Sequence, residues 1–137
     1  MKMFFAVLFL FIFCNASMAT QNIPLASPIV EQYTHQTKCI QAFPVNSERL
    51  FYLTLAAINA NNFTPIEAQT RAGYILFSTG HKEFLATIAK TVDNLSVIKI
   101  TPANNSYYFS PSIVNNLFHY INSNLQAEIT SIVEVKE

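Results

Sequence analysis

Between Phe63 and Pro102 the chain carries four strand-like runs joined by very short linkers. Phe63–Gln69 leads into Thr70-Arg71-Ala72-Gly73, and Tyr74–Thr79 into Gly80-His81-Lys82. Glu83–Lys90 runs to a turn near Asp93-Asn94, and Leu95–Thr101 stops at Pro102. Linkers this short close hairpins, whereas a parallel crossover needs about a dozen residues or more. The four runs are therefore read as an antiparallel meander. Its turns hold both glycines of the chain, Gly73 and Gly80, at positions where a positive φ is needed.

A helical pattern flanks the meander on each side. In the first, Asn46 or Ser47 can accept from the free N–H groups of the opening turn, and Glu48 suits the positive end of the dipole. Leu50, Leu53, Thr54, Ala57 and Ile58 recur at three-and-four spacing, and Asn59–Asn62 supplies the stop. In the second, Ser110-Pro111 is a start signal, and Ile113, Leu117, Ile121 and Leu125 form an apolar stripe opposite Ser112, Asn115, Asn116, His119 and Ser123. Both stripes need cover, and one face of the sheet offers it. The expected fold is α+β: an N-terminal helix, a four-stranded antiparallel meander and a C-terminal helix packed on one sheet face. Lys38–Phe43 is read as a short strand ended by Pro44. Ala103–Phe109 is read as a loop. The tail after Leu125 is read as an edge strand, a helical extension or a loose end.

The strands hold more apolar residues than one face requires. Ile75 and Phe77 point one way while Tyr74 and Leu76 point the other; Phe84, Ala86 and Ile88 oppose Leu85 and Ala89. A second, partly apolar sheet face calls for cover by the chain's own ends, by another protein or by a second copy. Tyr74 and Leu76 are candidate contact residues there. Tyr107 and Tyr108 are further candidates, in the aromatic run Tyr107-Tyr108-Phe109. The competing reading of that run places Phe109 in the core or as a staple against Ile113 or Val114.

The first nineteen residues differ from the rest. A lysine at position 2 precedes an apolar run from Met3 to Cys14, and Ser17-Met18-Ala19 offers small residues for signal peptidase. The run is too short for a membrane-spanning helix, which needs about 20 residues. Residues 1–19 are read as a cleaved secretory signal, with an uncleaved anchor as the alternative. Phe13 before Cys14 does not suit a lipoprotein signal. Residues 20–45 then form a mobile lead-in, 46–125 a single domain and 126–137 a tail. The expected destination is outside the cytoplasm, periplasmic or secreted, in a bacterial envelope. The membrane is reached only through the signal, if it stays attached. One cysteine, Cys39, remains beyond the signal; it is buried or pairs between chains.

Little in the sequence points to chemistry. The formal net charge is zero, which disfavours a nucleic-acid partner, since phosphate binding needs a basic surface. His35, His81 and His119 have no ligand-spaced partners, so no metal or other cofactor is expected. Glu67 sits near Arg71, which reads as a surface ion pair. Nucleophile motifs are lacking, so the domain is not expected to be an enzyme. The order of elements over Asn46–Leu125 resembles the helix-grip arrangement of small envelope lipoproteins that accompany outer-membrane assembly machinery. That resemblance carries no residues across, and fold alone does not fix function. The leading reading is a protein-binding domain. The alternative is a carrier of a small apolar ligand held between the second helix and the sheet.

Overall fold

A computed structural model describes residues 32–135 of the chain. The secretory-signal reading and residues 20–31 of the lead-in lie outside the described residues. The elements in chain order are β1 (Gln32–Tyr33), a 3-10 turn (Gln36–Cys39), β2 (Ile40–Phe43), α1 (Ser47–Ala60), β3 (Thr64–Gln69), β4 (Tyr74–Ser78), β5 (Glu83–Val92), β6 (Leu95–Pro102), β7 (Tyr108–Phe109) and α2 (Ser112–Val135).

The fold is α+β. Its main sheet has five antiparallel strands in the order β2-β6-β5-β4-β3, and β1 and β7 form a separate two-stranded ribbon. The expected meander is present as β3 to β6, but it is not the whole sheet. β2 adds a fifth strand against β6, with Ile40 opposite Lys99 and Phe43 opposite Ser96. The first helix is therefore not the N-terminal element. It joins β2 on one edge to β3 on the other. A four-residue strand has too little periodicity to announce its partner, which lies more than fifty residues away in sequence.

Local signals set the helix ends. Asn46 Oδ1 accepts from Arg49 N at 2.8 Å, capping α1. Asn61 Nδ2 donates back to Ala57 O, and Asn62 takes a positive φ of 59° to turn the chain away. Asn94 does the same in the β5–β6 turn, with φ 57°. The second helix runs through Val135, so of the three readings of the tail the helical extension is the one present. Residues 126–135 thus extend it, and Arg49 on α1 forms an ion pair with Glu128 in this extension.

Both helices contribute to one core on the inner face of the sheet. Leu50, Phe51, Ala57 and Ile58 of α1 and Val114, Leu117, Phe118 and Ile121 of α2 are buried with Ile75, Phe77, Phe84, Ala86, Ile98 and Ile100 of the strands. Thr54, on the buried stripe of α1, keeps its hydroxyl satisfied by donating to Leu50 O at 2.7 Å. A row of aromatic rings crosses the inner face. Phe63 stacks on Phe77 at 5.9 Å, Phe77 on Phe84 at 5.6 Å, and Phe84 meets Phe109 edge-on at 4.9 Å. The last contact ties the β1–β7 ribbon to the sheet. Ala103–Phe109 is therefore not loop throughout: Tyr108 and Phe109 pair with Tyr33 and Gln32.

Candidate functional site

Among the described residues, no helix packs on the outer face of the sheet. Its residues follow from strand alternation and register. One row across the strands reads Glu67, Leu76, Leu85, Thr101; the next reads Gln69, Tyr74, Thr87, Lys99, Ile40; a third reads Ala89, Val97, Ala42. Leu76, Leu85, Val97 and Tyr74 are half-buried by their neighbours, while Thr87 and Lys99 in the middle of the face are exposed. Tyr74 donates its hydroxyl to Glu67 Oε1 at 2.7 Å, and Gln69 Nε2 approaches the same oxygen at 3.3 Å. By accepting that hydrogen bond, the Glu67 carboxylate holds the Tyr74 phenol above its ordinary value; desolvation and the negative charge act in the same direction. Glu67 is thus engaged by Tyr74 and not, among the described residues, by Arg71.

The sheet edges are less open than this face. β3 contains Pro65, which has no N–H to offer, and its register shifts between Pro65 and Glu67. β2 has four residues and is followed by Pro44. Both features blunt strand addition, so a contact through the sheet goes through its face.

The structure separates the four sequence-predicted contact residues into two places. Tyr74 and Leu76 share the outer face. Tyr107 and Tyr108 lie in or beside β7, on the ribbon held against the inner face through Phe109. Tyr107 is half-buried against the core, and Tyr108 is 47% exposed with its ring edge-on to Tyr33 at 5.2 Å. Phe109 itself is core. Leu85, Thr87, Val97, Lys99 and Ile40 complete the outer face and were not singled out as contacts from the sequence. Alternation in β5 shows which way Leu85 points, but placing Lys99 and Ile40 beside Tyr74 requires the pairing register.

Several clefts lie elsewhere among the described residues. One of about 280 Å³ is lined by Phe63, Phe109 and Ile113 together with His81, Ser110 and Asn116. Another of about 380 Å³ lies at the start of α1, among Glu48, Phe51, Arg71, Gly73, Ile88 and Lys90. Among the described residues no cluster of three His, Cys, Asp or Glu side chains is placed to hold a metal, and no helix is long and apolar enough to cross a membrane. Cys39 is buried, and its thiol approaches His35 O at 3.6 Å. No protein-family model matches the sequence, and no curated protein matches it.

Proposed function

We propose that the chain is a small exported, non-enzymatic domain that binds a protein through the outer face of its sheet, in the cell envelope or outside the cell. One observation carries the reading: both helices pack on the inner face, while the outer face presents Tyr74, Leu76, Leu85 and Val97 around exposed Thr87 and Lys99. A weakly charged face of leucine, tyrosine and threonine, with edges blunted against strand pairing, has the composition of a protein contact. Export follows from the Met1–Ala19 pattern. The placement of both helices on one face keeps the helix-grip likeness as part of this proposal.

Leu76→Glu with Leu85→Glu is the direct test, because neither side chain belongs to the enclosed core. The exported protein and this double variant are used as bait in the native cells, and unfolding temperatures are matched first. Loss of the protein captured by the parent supports the reading; equal capture by both overturns it. The carrier reading is second. Phe43, Phe77, Phe84, Ile98, Ile100, Leu117 and Ile121 are fully enclosed and fill the space between α2 and the sheet. What favours a carrier is the 280 Å³ cleft at the rim, just under the usual size of a small-molecule site of roughly 300 Å³ or more.

A further inference from the structure

We infer that the outer sheet face is a reversible two-fold contact between two copies of this chain. The inference rests on the reading of this face as a protein contact and names its partner. The face is self-complementary in charge. The rows through Leu76 and Tyr74 contain one acid and one base: Glu67 on edge strand β3 and Lys99 on β6. They are three strand spacings apart, about 14 Å, with Leu76, Leu85, Tyr74 and Thr87 between them.

Consider a two-fold axis parallel to the strands, passing between β5 and β4. Such an axis keeps each row at its own height and exchanges the strands across it. β6 then lies over β3 of the second copy, and β5 over β4. Lys99 reaches Gln69 of the partner subunit in its own row and Glu67 of the partner subunit one row away, twice per dimer. Leu76 lies against Leu85 of the partner subunit, also twice, and Tyr74 against Thr87 of the partner subunit. Glu83, at the outward end of β5, faces Ser78 of the partner subunit, so no like charges are opposed. A closed isologous contact of this kind uses one patch on both copies and leaves no open end for fibre growth. Two stacked faces also meet at the small angle that sheet twist dictates.

The area sets the strength. Four overlapping strands, each contributing about five residues, cover roughly 300–400 Å² of flat sheet per copy. That is about half of the roughly 800 Å² per partner in a stable interface. The contact is therefore weak and reversible.

The test uses the full chain produced in its native cells, with a photo-crosslinking amino acid at Thr87 and, as a control, at His119 on the exposed side of α2. An adduct of twice the chain's mass at position 87 and not at 119 is expected. An adduct of any other mass at 87 overturns the self-contact while leaving the protein-binding reading standing. No intermolecular adduct at 87 overturns both. Sedimentation of the isolated exported protein supplies the second arm. Lys99→Glu and Glu67→Lys each weaken self-association about tenfold, because each opposes like charges across the axis. The double swap returns it to within about threefold of the parent. If the double variant is as weak as the singles, the proposed pairing of strands is wrong.

Discussion

A side-chain carbon on Gly73 would stand 2.7 Å from the carbonyl oxygen of Ile88. Gly73 ends the β3–β4 turn with φ +73°, and Ile88 N donates to its carbonyl at 2.7 Å, extending the β4–β5 ladder by one pair. The position therefore excludes other residues twice, by φ and by contact with backbone that cannot swing aside. Gly80 is the matched control: its φ is +95°, but nothing lies within 4 Å of an added carbon. Gly80→Ala should cost about 1–2 kcal/mol from backbone strain alone. Gly73→Ala adds a crowding cost of about 1–3 kcal/mol. Urea unfolding of both variants measures the difference, and equal costs would show that the ladder relaxes around Gly73.

Ser96 is fully buried on β6, opposite Phe43, and its hydroxyl has no hydrogen-bond partner among the described residues. An enclosed, unpaired hydroxyl costs about 1–3 kcal/mol. Removing it leaves only the small void of one oxygen. Ser96→Ala is thus expected to leave the protein as stable as before or to stabilise it by about 1–2 kcal/mol, read as an unchanged or raised midpoint in urea. A loss of 1 kcal/mol or more would mean that the hydroxyl has a partner in solution.

These positions show what was legible in the sequence. Turn chemistry was: Gly73, Gly80 and Asn94 stand at the predicted turns, each with positive φ. So was the alternation that separates Phe77 from Leu76. β2 was underestimated because its partner β6 is remote, and with it went the place of α1 in the topology. The end of α2 stayed open between strand, helical extension and loose end because Ile129, Val133 and Val135 read equally well as strand or helix, and Arg49, which pairs with Glu128, is almost eighty residues away. The outer face was half visible. Tyr74 and Leu76 follow from one strand's pattern, but Lys99 reaches the same row only through three-strand register. Nothing in Tyr107 or Tyr108 distinguished an outward tyrosine from one resting on the core.

Cys39 reports on folding. It is 1% exposed, and burial raises its thiol above the ordinary value. The thiolate is the reactive form, so the folded protein should react with a neutral disulfide reagent at least about a hundredfold more slowly than the urea-unfolded chain at pH 8. The sign follows from linkage. A raised folded value stabilises the protein below the unfolded thiol value, and this contribution is lost as pH rises through the folded one. Stability should therefore fall above about pH 9, and Cys39→Ala should remove that part of the decline. Fast labelling of the folded protein would show that the 3-10 turn opens readily.

Lys82 holds the ribbon down. Its ammonium donates to Ser106 O at 2.8 Å and Tyr108 O at 3.0 Å and lies 5.6 Å from the centre of the Phe109 ring. The two carbonyls flank the start of β7, so one side chain from the β4–β5 turn fixes both the loop and the strand. β7 in turn holds β1, because Thr34 N donates to Tyr107 O at 2.8 Å and Thr34 Oγ1 to Phe109 O at 2.9 Å. Hydrogen bonds from a charged donor are worth about 1.5–3 kcal/mol when shielded, and partial exposure of Lys82 discounts that to about 1 kcal/mol. Lys82→Met keeps much of the packing over Phe109 but loses both bonds. The loss should appear locally: amide exchange at Thr34 should quicken about fivefold, the equivalent of 1 kcal/mol, while exchange at Ile88 in the middle of β5 follows only the change in global stability. Uniform acceleration at both amides would assign Lys82 to the stability of the whole sheet, and unchanged exchange at Thr34 would show that Phe109 alone anchors the ribbon.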